Sequence, residues 1–240
     1  MTTAGEAMAV IRAQEDQIVV HELRMPDGSR HFQVFIDGTQ DFGLSPETGL
    51  DGLANVENGA GDLAPGSGSA GAVAEALRQA GVGEGDTVDL WGYSQGGHAA
   101  AVVAASQEFD VRSVVTIGSP VDGVDVPAGV EAIAIAHEGD FVPAAQGIAD
   151  DPSAIGMLWD VAHGRDPACT RGIETVELAP AERIGEGLWG RHDADEYLAT
   201  LPGAEERSAQ LWHHHERMGA RLEGAVGVAS TSVRLRREEG

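Results

Sequence analysis

The chain has 240 residues, and its 39 acidic residues outnumber 15 basic ones for a net charge of −24. That length suits one α/β domain with a sizeable core, so we expect a single domain over residues 1–240. An acidic surface repels nucleic-acid phosphates, which argues against nucleic acid as a partner. The charge is better explained by solubility or adaptation to salt than by an acidic docking surface.

Cys169 is the only cysteine, so the chain forms neither an internal disulfide nor a cysteine zinc site. Residues 1–20 lack the basic start, apolar run and cleavage site of a signal peptide, and no apolar stretch is long enough to span a bilayer. We therefore expect no integral membrane segment and a cytoplasmic location by default, with signal-independent export left open.

The first predicted elements are two strands joined by a turn. Apolar-containing runs cover residues 17–24 and 31–36, and Pro26 and Gly28 between them favour a tight turn. This pattern predicts an antiparallel hairpin. Residues 41–68, which are rich in Gly, Asn, Asp and Pro, predict a long surface loop.

Helices and strands alternate over the next part of the chain. Ser69 caps a predicted helix that ends near Gly81, and a second predicted helix covers residues 95–107. Strands are predicted at residues 87–91, 111–117, 131–136 and 173–178. This order predicts a three-layer α/β fold whose mainly parallel sheet is preceded by the N-terminal antiparallel hairpin.

The remaining segments are less regular. Residues 144–171 mix Met, Leu and Trp with Asp, Gly and Pro, and are either a packed connection or an insertion that covers the substrate as a lid. Residues 205–222 are predicted as a helix, and residues 225–240 as a flexible tail.

The motif Gly92-Tyr93-Ser94-Gln95-Gly96 stands where a predicted buried strand meets a helix of small residues. A sharp strand-to-helix turn holds a serine hydroxyl clear of the sheet, and glycines two places before and after the serine avoid clashes in that turn. We therefore predict that Ser94 is a nucleophile. The alternative is a glycine-rich turn that contains a serine by chance.

Two segments are predicted to supply backbone donors to an oxyanion. The N–H of Gln95 lies at the positive end of its helix, and Thr39 and Gln40 follow the second hairpin strand. The alternative for the second segment is an ordinary Asp-Gly turn.

A serine hydroxyl needs a histidine base and an acid that orients the base, and α/β-hydrolases order them Ser, acid, His. The turn after the strand at 131–136 holds Asp140, the predicted acid, with Glu138 in reserve. His192 follows the last predicted strand and is the predicted base, whereas His163 is a rival in the irregular segment. The alternatives are solvated turn carboxylates and a surface or core histidine.

This chemistry needs no cofactor and no metal. The run His213–His215 suggests a metal site, but adjacent helical residues point in different directions and cannot face one ion together. A solvated helix face accounts for it better. Tyr93, Ser119 and Phe141 lie next to the predicted catalytic residues and are candidates for lining a substrate pocket.

Four motifs between about residues 30 and 145 resemble those of the lipase and esterase branch of the α/β-hydrolases. They are Gly38-Thr39-Gln40-Asp41, Gly92-Tyr93-Ser94-Gln95-Gly96-Gly97, Thr116-Ile117-Gly118-Ser119-Pro120 and Gly139-Asp140-Phe141-Val142-Pro143. The chain is similar to small actinobacterial members, and its Tyr-Ser-Gln-Gly elbow looks like that of cutinases. In class 3 lipases an Asp followed by x-Val-Pro carries the triad acid, which the resemblance implies for Asp140.

Residues and resemblance together predict a serine hydrolase that cleaves an ester-type acyl bond in a small molecule or lipid. The resemblance favours an ester over an amide. Two alternatives stay open: an acyltransferase that uses the same triad, and a non-catalytic binding module on the same fold.

Overall fold

The computed structural model describes residues 1–38, 68–121, 124–140, 142–143, 172–180 and 190–233. The strands in these ranges are β1 (Ile18–Arg24), β2 (Arg30–Ile36), β3 (Thr87–Tyr93), β4 (Asp110–Ile117), β5 (Glu131–His137), β6 (Glu174–Leu178) and β7 (Val226–Val233). The helices are α1 (Ala4–Ala13), α2 (Gly68–Gln79), α3 (Gln95–Ser106), α4 (Ala194–Thr200), α5 (Ala204–Arg207) and α6 (Ala209–Arg221), with a 3₁₀ turn at Gly190–His192.

The seven strands form one sheet in the order β6-β5-β4-β3-β2-β1-β7. Strands β2 to β6 are parallel, whereas β1 is antiparallel to both β2 and β7. The predicted N-terminal hairpin and mainly parallel sheet are therefore confirmed. The hairpin turn closes with a hydrogen bond from Met25 N to Ser29 O (2.9 Å), and Gly28 takes a φ of 88°, which glycine adopts readily.

Helices pack on both faces of the sheet, because alternate strand residues point to opposite sides. In β1, Ile18 and Val20 belong to the core beneath α2 and α3, while Val19 belongs to the core beneath α1, α4, α5 and α6. The result is three layers, helix on sheet on helix. None of the helices in the described part is long and apolar enough to cross a membrane.

The parallel strands determine where the side chains of the predicted site meet. Their carboxyl ends lie at one edge of the sheet, which is where open α/β sheets bind ligands. Ser94 directly follows β3, and Asp140 lies in the turn after β5. His192 lies in the 3₁₀ turn that precedes α4.

Three parts of the fold differ from the sequence-based predictions. The flexible tail predicted at 225–240 is wrong for Val226–Val233, which forms β7 and pairs with β1. The helix predicted at 205–222 is two helices, because Ser208 leaves the helical conformation and caps α6 by accepting a hydrogen bond from Leu211 N (3.3 Å). Helix α1 was not predicted.

Candidate active site

Ser94 occupies a sharp turn between β3 and α3. Its φ of 52° and ψ of −126° lie in a region that residues with side chains rarely adopt, so the turn stores strain. The backbone is held there by hydrogen bonds from Ser94 N to Ile117 O (2.9 Å) and from Gly97 N to Ser94 O (3.1 Å). This is the geometry that the motif predicts for a serine presented at the end of a sheet.

Three glycines allow this turn to form. A Cβ on Gly92 would lie 2.5 Å from the Cα of Gly97, and a Cβ on Gly96 would lie 2.5 Å from the carbonyl oxygen of Asp37. A Cβ on Gly97 would lie 2.0 Å from the hydroxyl oxygen of Ser119. No side chain fits at these distances, so the glycines let α3 approach the sheet closely beneath Ser94.

The structure brings Ser94, His192 and Asp140 into one chain of hydrogen bonds. Ser94 Oγ lies 3.0 Å from His192 Nε2, and His192 Nδ1 lies 2.9 Å from Asp140 Oδ2. A carboxylate only accepts, so Nδ1 carries the ring proton and Nε2 is left to accept from the serine hydroxyl. All three residues are buried, with Ser94 1% and His192 7% exposed.

Asp140 is oriented by two further donors. Val142 N donates to its Oδ1 (3.0 Å), and the hydroxyl of Tyr197 donates to its Oδ2 (2.7 Å). The reserve acid, Glu138, is exposed, and within the described ranges its carboxylate makes no hydrogen bond or ion pair with His192. Its main chain instead bonds to β6, from Glu138 N to Leu178 O (3.0 Å).

The turn that carries His192 is attached to the turn that carries Asp140. His137 Nδ1 donates to the carbonyl oxygen of Arg191 (2.8 Å), and the Arg191 guanidinium donates back to the carbonyl oxygen of Glu138. Burial lowers the pKa of His137, which keeps its ring neutral and able to donate from Nδ1 at neutral pH. Asp140 and His192 are thus fixed relative to each other by main-chain contacts as well as by their own hydrogen bond.

Tyr93 contacts His192, the predicted base, directly. Its ring stacks on the His192 ring, with centroids 5.5 Å apart and planes 19° apart, and its hydroxyl donates to the His192 carbonyl oxygen. Tyr93 was predicted to line a pocket, and the structure places it against the base. Burial raises the pKa of Tyr93, so the hydroxyl stays protonated and keeps donating.

The predicted oxyanion donors are only partly within the described residues. Gln95 is the first residue of α3, so its N–H belongs to the positively polarised end of that helix. Gly38 lies beside Ser94, since a Cβ built on it would be 3.0 Å from the Cβ of Ser94. Thr39 and Gln40 directly follow Gly38 but lie outside the described residues.

Of the other residues and segments predicted for the site, only Ser119 lies within the described ranges. Ser119 is buried against Gly97, and its hydroxyl donates to Ile117 O (3.0 Å). Phe141, the rival base His163 and the lid or insertion at 144–171 lie outside the described residues.

The histidine run 213–215 is divided by its helix. His213 is exposed, while His214 is buried, edge-on to Trp91 with ring centroids 5.5 Å apart and with Nδ1 2.9 Å from Glu131 Oε1. The solvated-face interpretation is therefore wrong for His214. In the described ranges, no group of three or more His, Cys, Asp or Glu side chains is arranged to hold a metal ion.

Tyr197, His137 and Arg191 are parts of this site that the sequence did not predict. Their contacts join residues more than 50 positions apart, which no local pattern reveals. One compositional signal existed: the chain has only two tyrosines, and each contacts a residue of the predicted triad.

The arrangement is chemically suited to proton transfer between a serine hydroxyl and an imidazole that is backed by a carboxylate. Comparison of the chain with models of protein families, with curated proteins and with solved structures gave no match.

Proposed function

We propose that the chain is a serine hydrolase of the α/β-hydrolase fold that cleaves an ester-type acyl bond. The observation that carries the proposal is the continuous set of hydrogen bonds from Ser94 Oγ through His192 to Asp140, at a strained strand-to-helix turn. Each donor and acceptor has the direction that general-base activation of a serine requires.

The order of the three residues along the sheet supports the proposed fold. Ser94 follows β3, a central strand, and Asp140 follows β5, two strands further along the same parallel sheet. His192 comes later in the chain, which gives the order Ser, acid, His of α/β-hydrolases. The topology is thus consistent with a nucleophile elbow followed by an acid turn and a base turn.

In the proposed reaction, His192 Nε2 takes the proton from Ser94 Oγ as that oxygen attacks the acyl carbonyl carbon. Asp140 stabilises the imidazolium that forms. His192 then gives the proton to the leaving alcohol oxygen, which leaves an acyl group on Ser94. A water molecule, deprotonated by His192, attacks this acyl-enzyme and releases the acid, which restores the serine hydroxyl.

The negative oxygen of the tetrahedral intermediate needs fixed donors nearby. The N–H of Gln95 is one proposed donor, because it belongs to the start of α3, directly after the nucleophile. A second donor is proposed on the segment that begins at Gly38, a residue that lies beside Ser94. The substrate class we propose is a small-molecule or lipid ester.

Turnover of a chain-length series of p-nitrophenyl esters tests the proposal. We expect Ser94→Ala to lower kcat about 10⁴-fold or more, because the nucleophile is lost. The matched control is Ser106→Ala, which removes a half-buried hydroxyl at the other end of α3, where it donates to Val103 O. Turnover by Ser94→Ala at the wild-type rate would overturn the proposal. A wild-type protein that cleaves no ester in the series would overturn it as well.

The identity of the base is tested separately. His192→Ala should lose as much activity as Ser94→Ala, because the two residues act as one unit. His213→Ala, which alters an exposed histidine, should keep wild-type kcat/KM. Full activity of His192→Ala combined with loss of activity in His163→Ala would move the base to His163.

A further inference from the structure

Tyr197 lies in α4, five residues after His192, and is fully buried. Its hydroxyl makes two hydrogen bonds: it accepts from His137 N (2.9 Å) and donates to Asp140 Oδ2 (2.7 Å). The oxygen that it binds is the one that His192 Nδ1 also contacts, at 2.9 Å. Two donors therefore compete for the charge on a single carboxylate oxygen.

The ring of Tyr197 is fixed on both sides, which fixes where the hydroxyl points. One face stacks on His137, with centroids 3.8 Å apart and planes 5° apart. Gly118 lies close on another side, since a Cβ there would be 2.9 Å from Tyr197 Cε2. The start of α4 is fixed as well, because Asp193 caps it by accepting from Asp195 N (2.7 Å).

The hydroxyl remains a donor throughout the pH range of an enzyme assay. Burial raises the pKa of Tyr197 well above its ordinary value, and the negative charge of Asp140 raises it further. The ionisable groups around the pair include His137 on β5, Tyr93 on β3, and His192 and Arg191 in the 3₁₀ turn, with Asp193 and Glu196 at the start of α4.

We propose that Tyr197 is a positioning residue for Asp140. The Tyr197 hydroxyl holds the Asp140 carboxylate against His192 and limits how strongly the charge of that carboxylate stabilises protonated His192. The inference rests on the proposed function. Tyr197 reaches the reaction only through Asp140 and is not proposed to contact substrate. A hydrogen bond to a buried carboxylate both orients that group and stabilises its charge.

The test is the pH profile of kcat/KM for ester hydrolysis by Tyr197→Phe, which keeps the ring and removes the hydroxyl. Without the Tyr197 hydroxyl, the negative charge of Asp140 stabilises the imidazolium form of His192 more strongly. Protonation of His192 therefore becomes more favourable. We expect the midpoint of the acidic limb to move upward by about half a pH unit or more. We also expect kcat to fall about tenfold, because a hydrogen bond to a charged group is lost, while KM changes little.

The matched control is Tyr93→Phe. The Tyr93 hydroxyl donates to a main-chain carbonyl of His192 and not to an ionisable group. Its loss should lower kcat without moving the acidic limb. A Tyr197→Phe variant with the wild-type kcat and limb would overturn the inference, and so would equal limb shifts in the two variants.

A second measurement keeps the hydroxyl and so does not depend on how well Tyr197→Phe folds. The Tyr93→Phe chain has Tyr197 as its single tyrosine, so full incorporation of 3-fluorotyrosine changes that residue alone. Fluorination makes the phenol a stronger donor, and the acidic limb should then move to lower pH than in unlabelled Tyr93→Phe. An unchanged or upward-shifted limb would contradict the inference.

Failure of this inference is distinguishable from failure of the proposed function. A wild type that hydrolyses esters through Ser94, with tyrosine variants that behave as wild type, overturns only the role of Tyr197. A wild type that hydrolyses no ester overturns the proposed function and this inference together.

Discussion

Gly96→Ala tests the close packing beneath Ser94. The added Cβ would lie 2.5 Å from the carbonyl oxygen of Asp37 and 2.6 Å from that of Ile36, whereas ordinary contact begins at 3.4 Å. Both opposing atoms are main chain at the end of β2, which β1 and β3 hold in place on either side. Relief therefore requires α3 to move away from the sheet by about 1 Å, the difference between the 2.5 Å approach and the 3.4 Å of ordinary contact.

This overlap leads to a defined cost in stability and in activity. Overpacking in a rigid core costs about 1–3 kcal/mol, and we expect about 3 kcal/mol for Gly96→Ala because neither oxygen can rotate aside. The same movement displaces Ser94 relative to His192 and Gly38. A misplacement of about 1 Å in a catalytic group costs on the order of 10²-fold in rate.

Urea unfolding followed by circular dichroism, together with ester turnover, measures both effects. The matched control is Gly219→Ala in α6, where an added Cβ meets nothing within 4 Å. Replacing a helical glycine with alanine should there raise the free energy of unfolding by about 0.5–1 kcal/mol. Wild-type stability and turnover in Gly96→Ala would refute the close approach of α3 to the end of β2.

Three further substitutions probe contacts away from Ser94. Asp89→Asn should lower the free energy of unfolding by about 3–5 kcal/mol in urea titrations, because Arg221 loses its buried partner, yet leave kcat/KM of the folded protein unchanged. Burial opposes ionisation of Glu131, but the nearby His214 ring and the hydrogen bonds from Arg217 outweigh burial and lower the pKa of Glu131 to about 2. Stability from this carboxylate is therefore complete above its ordinary pKa of 4.5 and lost as pH falls towards 2, and Glu131→Gln should flatten that acid dependence of thermal unfolding. Ser208→Ala removes the cap of α6 and should lower the free energy of unfolding by about 1 kcal/mol in urea titrations. An unchanged free energy of unfolding would contradict the capping contact.

The elements that the sequence predicts well are those with a local cause. The hairpin follows from Pro26 and Gly28 between two apolar runs, and the elbow follows from the spacing of its glycines. Strand β3 extends to Tyr93, two residues beyond the prediction, because Gly92 and Tyr93 still pair with Thr116 and Ile117 in β4. Such extension depends on a neighbouring strand and has no local signal.

The missed elements differ in whether a signal was present. Helix α1 carries a capping box, in which Thr3 accepts from Glu6 N and Glu6 accepts from Thr3 N, and this pattern can be read from sequence. Strand β7 is mostly exposed, with Val226 64% exposed, so it lacks the alternation of buried residues that predicts a strand. Its strand conformation comes from pairing with β1.

The candidate site also contains some residues that have a local sequence signal and others that depend on tertiary packing. Ser94 and the acid turn were predicted from strand ends, and the structure brings Asp140 and His192 together with the serine. The hydrogen bond from Tyr197 to Asp140 joins residues 57 positions apart and depends on how α4 packs on the sheet. Contacts of that kind follow from the tertiary fold, so sequence patterns do not reveal them.

The most direct test of the central claim is the site of modification by a fluorophosphonate probe, located by peptide mass spectrometry. We predict one equivalent of label on Ser94, abolished in Ser94→Ala and strongly slowed in His192→Ala, because the imidazole activates the hydroxyl. Ser106→Ala should label at the wild-type rate. A wild type that stays unlabelled, or a label on a residue other than Ser94, would contradict the claim that Ser94 is an activated nucleophile.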